Sequence, residues 1–386
     1  MRIRAGLVLT GTVALLIALF AAGVPAAQAV TETYRVQLDA KPPKGEPWDF
    51  MRIFPAVITV HQGDVIDAAW ANPEAPHTAT LIPSADANAW RDANQGPGGP
   101  QDPSVYPYAL QVIDTSVGGD DGEVILNPAV AAPTNPTCGA DATTPCDFDG
   151  VSVASSGFMQ GAGNHFFARV TAPVGTYSLL CLLHPGMQET INVVAASETI
   201  PSPQDVADQV HQEVRQAKRV DGPAADAQAQ MVRSKDLANG HHLWTIWAGG
   251  FSNGVSANEF PDAGLAVQPR DRIRVKGNFE IHTATFPLSS ANTTPFIVSQ
   301  CEVAGPDTPA TTPADCASPA DFQVAFNPTA IMPTASNKLV AADTFVNSGL
   351  LTYGSSFTFI ARKAGEYHMV CLVHGPMMST TVTVHR

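Results

Sequence analysis

The stretch GTYSLLCLLHPGM, Gly175 to Met187, carries a run of strand-forming residues into a thiol, an imidazole and a thioether. Cys181, His184 and Met187 stand at i, i+3 and i+6. Near the C-terminus GEYHMVCLVHGPM, Gly365 to Met377, repeats the arrangement with Cys371, His374 and Met377. By two-residue alternation Tyr177, Leu179 and Cys181 share one face of a strand, so the thiol is expected to point inward at the strand's end.

The repeat extends well upstream of these loops. FPAVITVHQGDVIDAAW (Phe54–Trp70) and PHTATL (Pro76–Leu81) are echoed by FPDAGLAVQPRDRIRVKG (Phe260–Gly277) and IHTATF (Ile281–Phe286). Each half then has a loop with two cysteines, a Ser-Gly pair (SSGFM at Ser155, NSGLL at Asn347) and a Gly-x-Tyr before its Cys-x-x-His-x-x-Met. AVITV, DVIDAAW, TYSLLC, TINVV, FTFIA and TTVTV read as short strands bounded by Gly, Pro or Asp. The expected fold is all-β: two tandem Greek-key β-sandwiches over residues 30–197 and 239–386. A helical linker over 198–238 is expected between them. Ser202, Pro203 and Asp205 form its start, Val206, Val210, Val214, Ala217 and Val220 its apolar stripe, and Asp221-Gly222-Pro223 its break.

Composition fits. Hydrophobic residues make up 45% and charged ones 15% of 386 residues, and 32 Pro with 30 Gly suit loop-rich β structure. Residues 1–29 read as a secretory signal: Arg2 and Arg4, an apolar run from Val8 to Phe20, and Ala27-Gln28-Ala29 as cleavage site. A secreted or periplasmic protein with no lasting membrane insertion is the expectation. The net charge of −14 becomes −16 once Arg2 and Arg4 are removed. Such a charge disfavours nucleic acid and favours basic partners. In an exported chain the six cysteines permit local disulfides, Cys138–Cys146 and Cys301–Cys316. A Cys181–Cys371 bridge would leave the His and Met after each Cys unexplained.

Thiolate, two imidazoles and a weak axial thioether suit copper in electron transfer. Each loop supplies Cys, one His and Met, and His77 and His282 in the His-Thr-Ala-Thr repeats are the natural fourth ligands. Both halves resemble the cupredoxins, the blue copper proteins typified by plastocyanin, amicyanin and pseudoazurin, with loops similar to the amicyanin type. The resemblance implies two type 1 copper sites: His77, Cys181, His184 and Met187, then His282, Cys371, His374 and Met377. Met378 is an alternative to Met377 whose spacing matches the first loop less well. Where many cupredoxins have Asn after the first His, this chain has Thr78 and Thr283. The resemblance also makes His184 and His374 the electron portals, within apolar collars where a redox partner would dock.

The expected function is single-electron transfer between redox partners. The alternatives are a two-domain multicopper oxidase or nitrite reductase-like enzyme, and a copper storage or delivery protein. No His-x-His pair of the oxidase kind occurs. Nor does a His-Glu-x-x-His or a phosphate loop. Storage usually relies on Met- or His-rich tracts, which are also missing.

Overall fold

Alternation of apolar and polar residues builds two sandwiches of the same design. The computed structural model describes residues 31–72, 75–93, 110–113, 123–126, 128–184, 186–301, 308–309 and 322–385. The signal expected over 1–29 lies outside them.

In the first half one sheet runs in the order Ile53–Phe54, Thr33–Leu38, Val65–Trp70, His165–Val170, Cys146–Phe148. The facing sheet runs Ala154–Ser155, Thr80–Ile82, Gly175–Leu180, Gln188–Val194, Val57–His61. The second half repeats this: Arg233–Asp236, His242–Trp247, Arg272–Lys276, Ser356–Ala361, Lys338–Leu339, facing Val346–Asn347, Thr285–Phe286, Gly365–Cys371, Gly375–Val384, Leu265–Val267. Even the mixed pairings agree. Thr33–Leu38 lies parallel to Val65–Trp70, and His242–Trp247 lies parallel to Arg272–Lys276. Between the sheets Tyr34, Val36, Ile58, Val60, Leu179 and Ile191 form the first core. Ile246, Ile273, Phe286, Phe359, Tyr367 and Val382 form the second.

The linker differs from expectation. Ser202 caps Pro203–Gln216 with a full capping box, as its sequence implies. Asp221-Gly222-Pro223 does not break the helix. A π-helical turn, Ala217–Asp221, carries it into Gly222–Ala229, with the Gly222 N–H bonded to Ala217 O. The wider turn absorbs the proline's missing donor. Glycine is required there because a Cβ on residue 222 would sit 2.4 Å from the Trp48 ring. Val206 and Val210 are buried, whereas Val220 is exposed. The linker also ends sooner than 238, since Arg233–Asp236 already pairs with His242–Trp247 in the second sandwich.

The halves are joined by more than the linker. Trp48–Phe50 of the first pairs with Val255–Ala257 of the second. Glu123–Leu126, ahead of the first cysteine loop, lies antiparallel to Phe322–Phe326, which follows the second. Val324 packs with Ile82, Leu180 and Leu182 of the first half. Cys138 and Cys146 are bonded as expected. Cys301 is disulfide-bonded, and Cys316 lies outside the described residues.

Candidate metal centres

Strand geometry brings each distant imidazole to its own loop. His77 forms a β-bridge with Met159, and His282 forms one with Leu351. The repeated Ser-Gly pair fixes the next turn, where Ser156 Oγ accepts the Ala79 N–H and Ser348 Oγ accepts the Ala284 N–H. The Cys then arrives at the end of the adjacent strand, pointing inward as alternation requires. Cys181, Cys371, His77 and His282 are wholly buried.

In the first centre Cys181 Sγ lies 3.8 Å from His77 Nδ1 and 3.5 Å from His184 Nδ1, and the two nitrogens are 3.1 Å apart. In the second, Cys371 Sγ lies 4.0 Å from His282 Nδ1 and 3.5 Å from His374 Nδ1, with 3.2 Å between nitrogens. The point equidistant from the three atoms is about 2.0 Å from each in the first and about 2.1 Å in the second, matching N and S bonds to a borderline ion of about 2.0–2.3 Å. Neither thiol is in a disulfide, so a Cys181–Cys371 bridge is excluded.

Thr78 and Thr283 tie each Cys and its loop to the strand that carries the first His. Each donates its backbone N–H to the thiol sulfur, at 3.4 and 3.3 Å. Each hydroxyl accepts the N–H of the residue after the Cys, Leu182 or Leu372, at 2.8 Å. Burial opposes charge on both thiols, yet the facing imidazoles outweigh it and hold Cys181 and Cys371 well below the ordinary thiol range. Burial likewise pushes His77 down, but its bonds to Asp39 and Cys181 hold it at about 10.

The methionines are placed differently in the two loops. Met187 is buried and belongs to the cluster that contains Cys181. Met377 is 69% exposed, while Met378 is buried in the cluster that contains Cys371. The spacing-based choice of Met377 is therefore corrected. The left-handed glycine follows its His by two residues in the first loop (Gly186) but by one in the second (Gly375). Cys371 pairs with Gly375 across a register shift, so the outgoing strand starts earlier. Its buried face then reads Met378, Thr380, Val382, Val384. That alternation is visible in the sequence and could have identified Met378.

Sequence reasoning missed the acidic residues around the centres. His77 Nε2 donates to Asp39 Oδ2 at 3.0 Å, both side chains being fully buried. Asn72 Nδ2 donates to Asp39 Oδ2 and to Asp49 Oδ1, at 3.1 and 2.9 Å. Asp49, Glu280 and His374 bring ligand atoms within 4.8 Å of one another. A polar chain thus runs from the first centre to the second. Among the described residues the second centre has no counterpart of Asp39. Gly249 stands at the matched place, where a Cβ would lie 2.6 Å from His282 Nε2, and that nitrogen is buried with no hydrogen-bond partner.

Both loops open on one cavity of about 980 Å³ between the halves, lined by His184, His374, Leu183 and Val373. Of the expected collar residues Leu182 and Leu372 are buried, Leu183 and Val373 half-buried and Pro376 exposed. Pro185 lies outside the described residues.

No family model and no curated protein matches the chain. Among solved structures, auracyanin from Roseiflexus castenholzii aligns at 17% identity over 43% of this chain and 99% of its own, with a TM-score of 0.23. A blue copper oxidase from Nitrosomonas europaea aligns at 12% over 92% of this chain and 86% of its own, TM-score 0.20. A copper-containing nitrite reductase from Thermus scotoductus aligns at 12% over 92% and 68%, TM-score 0.20. By strand order the chain is a tandem pair of β-sandwiches of one design, and the doubled ligand loop is what resembles the cupredoxins.

Proposed function

We propose that the chain is an exported electron carrier with two type 1 copper centres. His77, Cys181, His184 and Met187 would hold the first copper, and His282, Cys371, His374 and Met378 the second. The observation that carries this reading is the convergence, twice, of one thiolate and two Nδ1 atoms on a point at metal-bonding distance. Copper bound there would supply a one-electron Cu(I)/Cu(II) couple. The protein's part is rigidity. Backbone donors from Thr78 and Thr283 fix the sulfurs, and the Thr hydroxyls lock the ligand loops to the His strands. Burial keeps water from the thiolates, and Asp39 fixes the ring of His77.

His184 and His374 bring their edges to the shared cavity, so electrons would enter and leave there. The acidic surface favours a basic redox partner, whose association should slow as salt rises. Export rests on residues 1–29 alone. Among the described residues no helix is long and apolar enough to cross a membrane. The shared cavity favours a second reading, a copper oxidoreductase acting on a small substrate between the domains.

Reductive titration of the copper-loaded protein separates the readings. A carrier takes up two electrons per chain, loses its thiolate-to-copper absorption, and turns over neither oxygen nor nitrite. A colourless protein, or uptake of one electron, would overturn the two-centre reading. Sustained turnover would favour the oxidoreductase.

A further inference from the structure

We infer that Asp49, Glu280 and the Nε2 edge of His374 form a further divalent-cation site, separate from the two thiolate centres and open to the interdomain cavity. It rests on the copper reading only in assigning Nδ1 of His374 to copper; Nε2 then carries the ring proton, which the second ion would displace to solvent, leaving a bridging imidazolate. That nitrogen faces Glu280 Oε1 at 3.6 Å, while Nδ1 faces Cys371 Sγ at 3.5 Å. The three ligand atoms lie within 4.8 Å of one another, a spread that one ion with bonds of about 2.1 Å closes with small side-chain movement.

A second observation points to a missing partner. Glu280 is 9% exposed, and its Oε2 is buried without any hydrogen-bond partner. A buried acceptor left unpaired calls for an explanation, and an ion supplies one. Asp49 is held as metal-bound carboxylates usually are. Asn72 of the first half donates to Oδ1 at 2.9 Å and Asn258 of the second donates to Oδ2 at 2.6 Å. The site therefore assembles only when the halves are packed together.

Ligand chemistry narrows the ion. Two carboxylates and one imidazole suit Zn²⁺ or Cu²⁺. The imidazole disfavours Mg²⁺ and Ca²⁺, which prefer oxygen throughout. The absence of a thiolate from the set disfavours Cu(I). His374, its Nε2 proton released on binding, would then bridge the two ions as an imidazolate, placing an open coordination position beside the second centre.

Equilibrium dialysis of the copper-loaded protein against Zn²⁺ tests this. One Zn²⁺ per chain is expected beyond the two coppers. Glu280→Gln and Asp49→Asn should each weaken its binding about tenfold or more. Zn²⁺ should shift the visible band of Cys181→Ser, which retains only the second centre, and not that of Cys371→Ser. No retained Zn²⁺, equal retention by both carboxylate variants, or binding without a shift at the second centre would overturn the inference. Lack of any visible band before Zn²⁺ is added would instead fault the copper reading. Zn²⁺ counted in C181S/C371S, with and without E280Q, then still decides.

Discussion

Asp39 and Gly249 hold matched places in the two halves, and both adopt left-handed backbone, at φ 62° and 72°. One gives a buried carboxylate to its histidine and the other gives nothing. An anion on the far side of an imidazole raises the ligand's basicity and favours the more highly charged metal. Asp39→Asn should therefore raise the reduction potential of the first centre, weaken its copper binding about 10- to 100-fold, and leave the second unchanged. Potentiometry on Cys371→Ser with and without the change checks this, and an unmoved potential would contradict it. The methionines give a second test. Met378→Ala should alter the second centre's spectrum and cost about 2–5 kcal/mol as a buried truncation. Met377→Ala should leave the spectrum alone and change stability by less than about 0.5 kcal/mol. The local ligands were legible because Cys, His and the first Met sit within seven residues and recur. Asp39, Asp49 and Glu280 were not. They do not recur, they come from separate strands and turns, and nothing in their neighbours marks them as different from solvated acids.

The turn before the third strand of each half shows how repeats drift. Asp64 Oδ2 accepts the His61 N–H and Asp271 Oδ2 accepts the Gln268 N–H, closing the same loop. The preceding residue is left-handed in both, Gly63 at φ 102° and Arg270 at φ 77°. For a side chain with a Cβ this region costs about 1–2 kcal/mol, partly offset by the entropy a glycine would lose. Arg270→Gly should thus stabilise the fold by about 0.5 kcal/mol, and a lower melting temperature would contradict this. Asp271 also accepts from the His242 N–H and the Trp244 indole. Burial pushes its pKa up, but these donors outweigh that and hold it below the usual value. A depressed carboxylate stabilises above its unfolded pKa of about 3.9, and that contribution is lost as pH falls through the lower folded value. Asp271→Asn should cost about 2 kcal/mol at pH 7, with the gap to wild type closing below about pH 4 in chemical denaturation. Strands of this kind were legible from alternation and turn residues. The π turn through Gly222 was not, because the ring of Trp48 that demands it is distant in sequence.

The whole chain behaves as more than two beads on a linker. The helix Pro203–Gln216 and its continuation bury Val210, Ala217, Ala225 and Ala229 against Phe50, Phe54 and Val255, residues drawn from both halves. Glu123–Leu126 and Phe322–Phe326 pair across the halves, and one cavity serves both centres. Unfolding followed through each centre's own visible band should therefore give coincident transitions, and two separated midpoints would contradict that coupling. The doubled architecture was legible from the repeat. The closure of the halves over a common cavity was not, since it depends on pairings such as Trp48–Phe50 with Val255–Ala257 that cross the repeat. Under the proposed function each half closes its own His-Cys-His cage around one ion. Copper content and visible absorption of Cys181→Ser and Cys371→Ser test it most directly. Each variant should lose about one copper and about half of the thiolate-to-copper band relative to wild type. If either substitution leaves the band untouched, or one removes it all, the two-centre account is wrong.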